Sequence, residues 1–152
     1  RRGAFSLPAM KPLFTLVLIA ACAIPASASA EKRPQGTAAD CPAAQALQQR
    51  HLLGHWQAEL PGLGQRLQLQ LTPHPELAES VHGSVQRGSQ RSQLTGDVDG
   101  GTLTLEESDD GQRISATWLG DVVEGSCGRE IRGQWQREGA SAAPQRFILR
   151  KE

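Results

Sequence analysis

The stretch Ile131-Arg132-Gly133-Gln134-Trp135 decides the fold of this chain, because its order of large apolar, polar, small, polar and large apolar residues recurs along the sequence. Successive side chains of a β-strand point to opposite faces, so each copy sends two bulky groups and one small group to one face. The pattern therefore predicts half-buried strands. Four further copies lie at 56–60, 81–85, 94–98 and 114–118.

Three more segments keep the period of two without a small central residue, which brings the number of predicted strands to eight. They are Leu67/Leu69/Leu71, Leu103/Leu105 and Phe147/Leu149. The short connections between strands are rich in Gly, Asp and Ser, and short turns make sequential strands antiparallel neighbours. The sequence thus predicts an all-β domain, an eight-stranded antiparallel up-and-down β-barrel, which hides its edges by closing. A two-sheet sandwich is the alternative.

The N-terminal region predicts export. Lys11 precedes an almost wholly apolar run over 13–23, and the small residues Ala28-Ser29-Ala30 follow, so residues 1–30 are interpreted as a leader and secretory signal peptide. The apolar run is too short for a membrane span. In the alternative, Ile19-Ala20-Ala21-Cys22 is a lipobox that places a lipid anchor on Cys22. We prefer cleavage after Ala30 and a periplasmic or secreted product, because a leader ending before Cys22 would be unusually short.

The exported chain is predicted to have a flexible tail over 31–40 and one barrel domain over 41–152. A short helix over 43–53, capped by Asp40 and stopped by Gly54, precedes the first strand. Cys41 and Cys127 form an even pair in an exported protein, which favours a disulfide. In an up-and-down barrel both cysteines lie at the same end, so the bridge would fasten the helix to the end that it covers.

Charge and motifs exclude several classes of function. Without the leader the chain has 13 basic and 16 acidic residues, a net charge of −3, and no basic patch with interleaved aromatic residues, so nucleic acid is not an expected partner. The histidines lack zinc-ligand spacing and Asp97-Val98-Asp99-Gly100 lacks most of a calcium loop, so no metal or cofactor is expected. No nucleophile motif, charged pocket or desolvated acid/base pair is predicted, so the protein is not expected to be an enzyme.

At Gly54-His55-Trp56 the chain resembles the calycin group, the lipocalins and avidins, which carry Gly-x-Trp on the first strand of an eight-stranded up-and-down barrel. The resemblance implies that Trp56 packs to close the base of the barrel. It also implies ligand transport of the lipocalin type. Biotin is not an expected ligand, because Gln57 and Ala58 stand where avidins begin the polar cradle for its head group.

The small residues at the strand centres suggest a cavity inside the barrel. They are Ala58, Gly83, Gly96, Ala116 and Gly133. One hypothesis is a space at mid-height with Trp56 as its floor and with Trp118, Trp135 and Phe147 as its walls, which would hold a small apolar or amphipathic ligand. In the other, the glycines permit strand bending and the core is solid.

Two functions follow, both non-catalytic. The first is an exported binding protein for such a ligand. The alternative is a periplasmic protein-interaction module, a hydrolase inhibitor or an envelope assembly factor, which would bind an envelope protein through the loops over 72–80 and 138–144. A barrel that serves only as a stable scaffold is a third possibility.

Overall fold

The computed structural model describes residues 41–152. The predicted leader, the lipobox at Cys22, the tail over 31–40 and Asp40 lie outside the described residues. In the described part, eight strands form one closed barrel with sequential antiparallel pairing, and β8 pairs back with β1. The strands are β1 (Gly54–Leu60), β2 (Gln65–Pro73), β3 (Val81–Arg87), β4 (Gln90–Asp99), β5 (Thr102–Ser108), β6 (Ala116–Val122), β7 (Glu130–Arg137) and β8 (Gln145–Lys151).

The predicted up-and-down barrel is confirmed, and the pairing of β1 with β8 excludes the two-sheet sandwich. Alternate side chains point into the barrel, and every strand contributes buried apolar groups, from Trp56 in β1 to Leu149 in β8. The period of two in the sequence therefore marks the interior correctly. The interior of an eight-stranded barrel is narrow, and the buried apolar side chains of all strands belong to one core cluster.

Strand β6 begins later than predicted. The pattern placed a strand over 114–118, but Ile114 is 46% exposed and the strand runs from Ala116 to Val122. Asp110 is the cause, because its Oδ1 accepts hydrogen bonds from the backbone N–H groups of Gln112 and Arg113 at 2.9 and 2.8 Å. These bonds hold a compact turn that delays the start of the strand.

The predicted helix over 43–53 is wrong in length. The segment contains a 3-10 turn at Ala44–Ala46 and one α-helical turn, α1, at Gln49–Leu52, with extended backbone at Leu47 and Gln48 between them. Leu47 and Leu52 are five positions apart, so a continuous helix would point them about 140° apart. The break allows both leucines to be buried against the barrel.

The glycines at the strand centres are explained by close contact between strands. A Cβ atom on Gly83, Gly96 or Gly133 would lie deep inside the van der Waals radius of a backbone carbonyl oxygen on the neighbouring strand, that of Gln70, Thr104 or Leu119 respectively. Their missing side chains therefore permit close packing and bending of the sheet. This observation supports the interpretation of the glycines as a structural requirement.

The substitution Gly133→Ala is expected to destabilise the barrel by about 2–3 kcal/mol, because the new methyl group must push two strands apart. Urea unfolding measures this effect. Gly62→Ala is the matched control, since its methyl group would meet only the end of the flexible Gln145 side chain at 2.5 Å and should change stability by less than about 0.5 kcal/mol. Equal effects of the two substitutions would contradict the steric explanation.

One end of the barrel, here called the capped end, is closed by the segment 41–53 and the β6–β7 loop. The predicted disulfide between Cys41 and Cys127 is present and joins the two. Trp56 donates its indole N–H to the Leu52 carbonyl at 2.7 Å, and Lys151 Nζ lies 5.7 Å from the centre of the Trp56 ring. Burial lowers the pKa of Lys151, and the nearby Arg129 lowers it further. Trp56 thus packs at the closed end, as the calycin resemblance implies.

Candidate functional site

The opposite end of the barrel, here called the mouth, is bordered by four connections. They follow β1, β3, β5 and β7, and their residues are 61–64, 88–89, 109–115 and 138–144. The mouth differs from the capped end because its inward-facing layer is polar. Its inward side chains include Gln65, Arg87, Ser92 and Glu107, and the exposed Asp109 follows the end of β5. The site is built from this layer.

Glu107 is the most unusual side chain of the mouth, because it is a carboxylate with no exposed surface. Its Oε2 accepts hydrogen bonds from the indole N–H groups of Trp118 and Trp135, both at 3.0 Å. Its Oε1 accepts a hydrogen bond from Arg87 Nη1 at 2.8 Å, which is also an ion pair. Burial of a carboxylate is costly unless the group is paired and hydrogen-bonded, and these three partners supply both kinds of contact.

Arg87 supplies the positive charge of the cluster. It is the last residue of β3, and its guanidinium carbon lies 5.2 Å from the centre of the Trp135 ring, in cation–π geometry. The side chain is 18% exposed, so it reaches the edge of the mouth. Its Nη2 is buried and has no hydrogen-bond acceptor in the described part of the chain.

Two further acid–arginine pairs surround this cluster. Asp109 Oδ2 accepts from Arg137 Nη2 at 2.8 Å while Asp109 Oδ1 accepts from Ser92 at 2.6 Å. Asp110 pairs with Arg113 at 3.2 Å. The mouth therefore combines charges of both signs in ion pairs with a buried aromatic wall.

The sequence prediction of an interior without a charged pocket is wrong at this end. The period of two in β5 places Glu107 on the same face as Leu103 and Leu105, while its neighbour Glu106 is exposed. Alternation alone could have assigned Glu107 to the interior. Its partners were not visible in the sequence, because Arg87 comes from another strand, 20 residues earlier.

The predicted ligand-binding residues do not form one group. Trp118 contacts Trp135 and Phe147 with ring centroids 6.3 and 5.2 Å apart, and this aromatic wall adjoins the mouth. Trp56 belongs to the capped end instead. The glycines 83, 96 and 133 lie between the two ends and are partly buried.

Gly120 is an interior residue that the sequence interpretation missed. Gly120 is buried and lies in β6, opposite Gly133 of β7. A Cβ atom on Gly120 would lie 2.6 Å from Phe147 Cζ, so the Phe147 ring occupies the space beside this glycine. The Gly120–Gly133 pair thus admits one aromatic ring of the wall.

Hollows occur at both ends of the barrel. At the mouth, the β5–β6 loop forms a hollow of about 330 Å³. The hollow is lined by Asp109, Asp110, Arg113, Ile114 and Ser115. The backbone N–H of Ser115 donates to the backbone carbonyl of Glu107 at 2.7 Å. The hollow therefore adjoins the Glu107 backbone, while the Glu107 carboxylate is buried inside the barrel. At the capped end, a groove of about 440 Å³ lies between residues 45–50, the β2–β3 loop and the β4–β5 turn.

The carboxylates of the mouth and the β7 strand make stability depend on pH. Hydrogen bonding to Ser92 lowers the pKa of Asp109, with burial opposing and Arg137 contributing, and hydrogen bonding to Arg132 lowers the pKa of Glu130. Because their folded-state pKa values lie below the unfolded ones, the stabilisation is full at neutral pH and is lost as pH falls.

We therefore expect the urea midpoint to fall between about pH 5 and pH 3, where carboxylates become protonated. Asp109→Asn should reduce this fall and leave a smaller one due to Glu130 and to Asp110, whose pKa is also lowered by hydrogen bonds from the backbone N–H groups of Arg113 and Gln112. A midpoint that rises on acidification would contradict the assignment of these ion pairs as stabilising.

The remaining chemistry of the described residues is limited. Within 41–152, no three His, Cys, Asp or Glu side chains are grouped closely enough to hold a metal ion. No helix in this range is long and apolar enough to cross a membrane.

Fold and site together define a closed eight-stranded antiparallel barrel with one disulfide-fastened end and one polar mouth, which adjoins a cluster of buried aromatic residues. A comparison with protein-family models and with curated proteins finds no match for the chain. The structure is consistent with a calycin-like fold, and the resemblance rests on the barrel and on Gly54 and Trp56.

Proposed function

We propose that this protein is an exported, non-catalytic binding protein that takes a small amphipathic molecule at its mouth. Trp118, Trp135 and Phe147 form the apolar wall of the proposed site, and the glycines 83, 96 and 133 shape the strands behind it. Arg87 and Glu107 supply its polar part.

The observation that carries this proposal is the complete burial of the Glu107 carboxylate. Replacing a buried ion pair by packed apolar residues is often neutral or stabilising, so such a pair is weak support for a purely structural role. Binding sites typically combine an apolar lining with a few convergent polar groups, and the mouth has this composition. Among residues 41–152, the capped end has no buried carboxylate, and its Trp56 is hydrogen-bonded to backbone.

Export is supported by the disulfide between Cys41 and Cys127, because disulfides persist in oxidising compartments. The leader over 1–30 remains a prediction from the sequence, and so does the lipid anchor at Cys22 as its alternative.

Titration of tryptophan emission with a set of eight-carbon amphiphiles of different charge tests the binding proposal. At least one member should give a saturable shift, and Trp135→Phe should weaken it about tenfold, because the substitution removes an indole N–H and part of the wall. Leu119→Ser is the control, since Leu119 is exposed on the outer wall. Equal loss of binding in both variants, or no saturable shift with any amphiphile, would contradict the proposal.

A second candidate is the protein-interaction module. Leu63 and Ile114, in two loops of the mouth, are 43% and 46% exposed, which favours a partner at this end. The loops of the sequence hypothesis lie apart, because 138–144 borders the mouth and 72–80 belongs to the capped end. A stoichiometric protein recovered with the purified chain, and lost with Leu63→Ser and Ile114→Ser together, would favour this candidate over the small molecule.

A further inference from the structure

The Glu107 carboxylate is held in a fixed position by rigid neighbours. Its Oε2 accepts from two indole groups, and the Trp118 ring is packed against both Trp135 and Phe147. The second oxygen, Oε1, faces the guanidinium of Arg87. A buried carboxylate oxygen beside the face of an aromatic ring is the combination that recognises an organic cation.

Arg87 fills this position imperfectly. A guanidinium has five N–H donors, and in the described part of the chain its Nη1 bonds to Glu107 while its buried Nη2 has no acceptor. Arg87 stands at the end of β3, next to the two-residue hairpin turn, and its side chain is partly exposed. Moved outward, Arg87 would regain hydrogen bonds to water, whereas the fully buried Glu107 could not.

We infer that Glu107 and the Trp135 ring form a receptor for an organic cation, which Arg87 occupies as a tethered substitute until a ligand replaces it. The ligand class is a small amphiphile whose head group is a guanidinium or ammonium. This inference rests on the proposed function at the mouth. A neutral or anionic head that displaced Arg87 would leave Glu107 buried without a counter-charge, so the site selects against both.

The surroundings of the cluster fit such a ligand. The surface hollow of the β5–β6 loop, which adjoins the Glu107 backbone, carries two carboxylates, Asp109 and Asp110, and the exposed apolar side chain of Ile114. Each carboxylate already pairs with an arginine, Arg137 or Arg113, so the mouth carries little net charge that would repel a cation. The apolar chain of the ligand would lie over Ile114 and the rim.

Octylguanidinium, octanol and octanoate test the inference, because they share a chain and differ in the charge of the head. Tryptophan emission of the full exported chain should respond to octylguanidinium at a concentration at least tenfold lower than to the other two. Octanol or octanoate binding as tightly as octylguanidinium would overturn the inference while the proposed function stands. No saturable response to any of the three would overturn both.

Two variants test the separate roles of Glu107, which would bind the cation, and of Arg87, which would occupy the site without a ligand. Arg87→Gln removes the tethered cation and should tighten octylguanidinium binding at least tenfold, whereas Glu107→Gln should weaken it at least tenfold. Glu106→Gln is the matched control on the outer face of β5 and should bind as the unaltered protein does. A folded Arg87→Gln variant with unchanged or weaker affinity would overturn the exchange of ligand for Arg87. If that variant fails to fold, the comparison of the three head groups on the unaltered protein decides.

Discussion

Glu107→Ala is expected to lower the free energy of unfolding by about 3–5 kcal/mol, the usual effect of removing one partner of a buried ion pair. The substitution leaves the Arg87 guanidinium and two indole N–H groups without their acceptor inside the barrel. Urea unfolding followed by far-ultraviolet circular dichroism measures the change. Glu106→Ala, one residue earlier and exposed, should change stability by less than about 0.5 kcal/mol.

A double variant distinguishes the cost of leaving one charge buried and unpaired from the cost of losing packing contacts. Replacing both partners, with Arg87→Met and Glu107→Leu together, should recover most of the stability, because apolar residues of similar volume substitute well for a buried pair. A loss below about 1 kcal/mol in Glu107→Ala would contradict the described burial of a paired carboxylate, since unsatisfied buried groups cost at least that much.

Removal of the disulfide, by Cys41→Ser together with Cys127→Ser, is expected to destabilise the protein by about 4–5 kcal/mol, because the bridge closes a loop with a sequence separation of 86 residues. The segment 41–47 should become susceptible to proteolysis first, since Leu47 is its main buried contact beyond Ala44. Residues 48–53 should stay protected longer, because Trp56 and Lys151 hydrogen-bond to the carbonyls of Leu52 and His51.

Urea unfolding and limited proteolysis with mass spectrometry check both parts of this prediction. The unsubstituted protein, with its disulfide reduced and both cysteines alkylated, serves as an independent comparison. A stability loss below about 1 kcal/mol would show that the unfolded chain is already restricted over this loop. Early cleavage within β1 would contradict the independent role of the 41–47 segment.

Most of the barrel was predictable because side-chain burial alternates along a half-buried strand with a period of two residues. All eight strands keep this period. The start of β6 was not predictable from the period, since Ile114 fits the alternation and yet is exposed. The turn at Asp110, held by two hydrogen bonds from backbone N–H groups, sets the residue at which β6 begins. The predicted helix failed for a related reason, because the burial of Leu47 and Leu52 required a break that helix propensity does not reveal.

The mouth was not predictable from spacing because its central cluster is drawn from four different strands. Glu107, Arg87, Trp118 and Trp135 are brought together by the closure of the barrel. The sequence marked both tryptophans as wall residues but gave no reason to connect them with a carboxylate. Gly120 was missed in the same way, since its partner Phe147 lies on a strand that is not adjacent in the barrel.

Both ends of the barrel contain a cation–π contact, but the surroundings of the two contacts differ. Each has a cation above a tryptophan ring, Lys151 over Trp56 and Arg87 over Trp135. At the capped end, both groups also hydrogen-bond to the carbonyls of the covering segment, which fixes them in place. At the mouth, Arg87 and Trp135 share the buried Glu107 carboxylate, and the Arg87 side chain is partly exposed. This difference is the physical basis of our proposal that the mouth binds the ligand and that the capped end closes the barrel.

The indole N–H signals of the three tryptophans in a proton–nitrogen correlation spectrum test this assignment most directly. On titration with an amphiphile that binds, the account predicts shifts of the Trp118 and Trp135 signals, whose N–H groups both donate to Glu107. The Trp56 signal, from the capped end, should remain unchanged. A shift of Trp56 alone, with Trp118 and Trp135 unmoved, would place the ligand at the capped end and contradict the account.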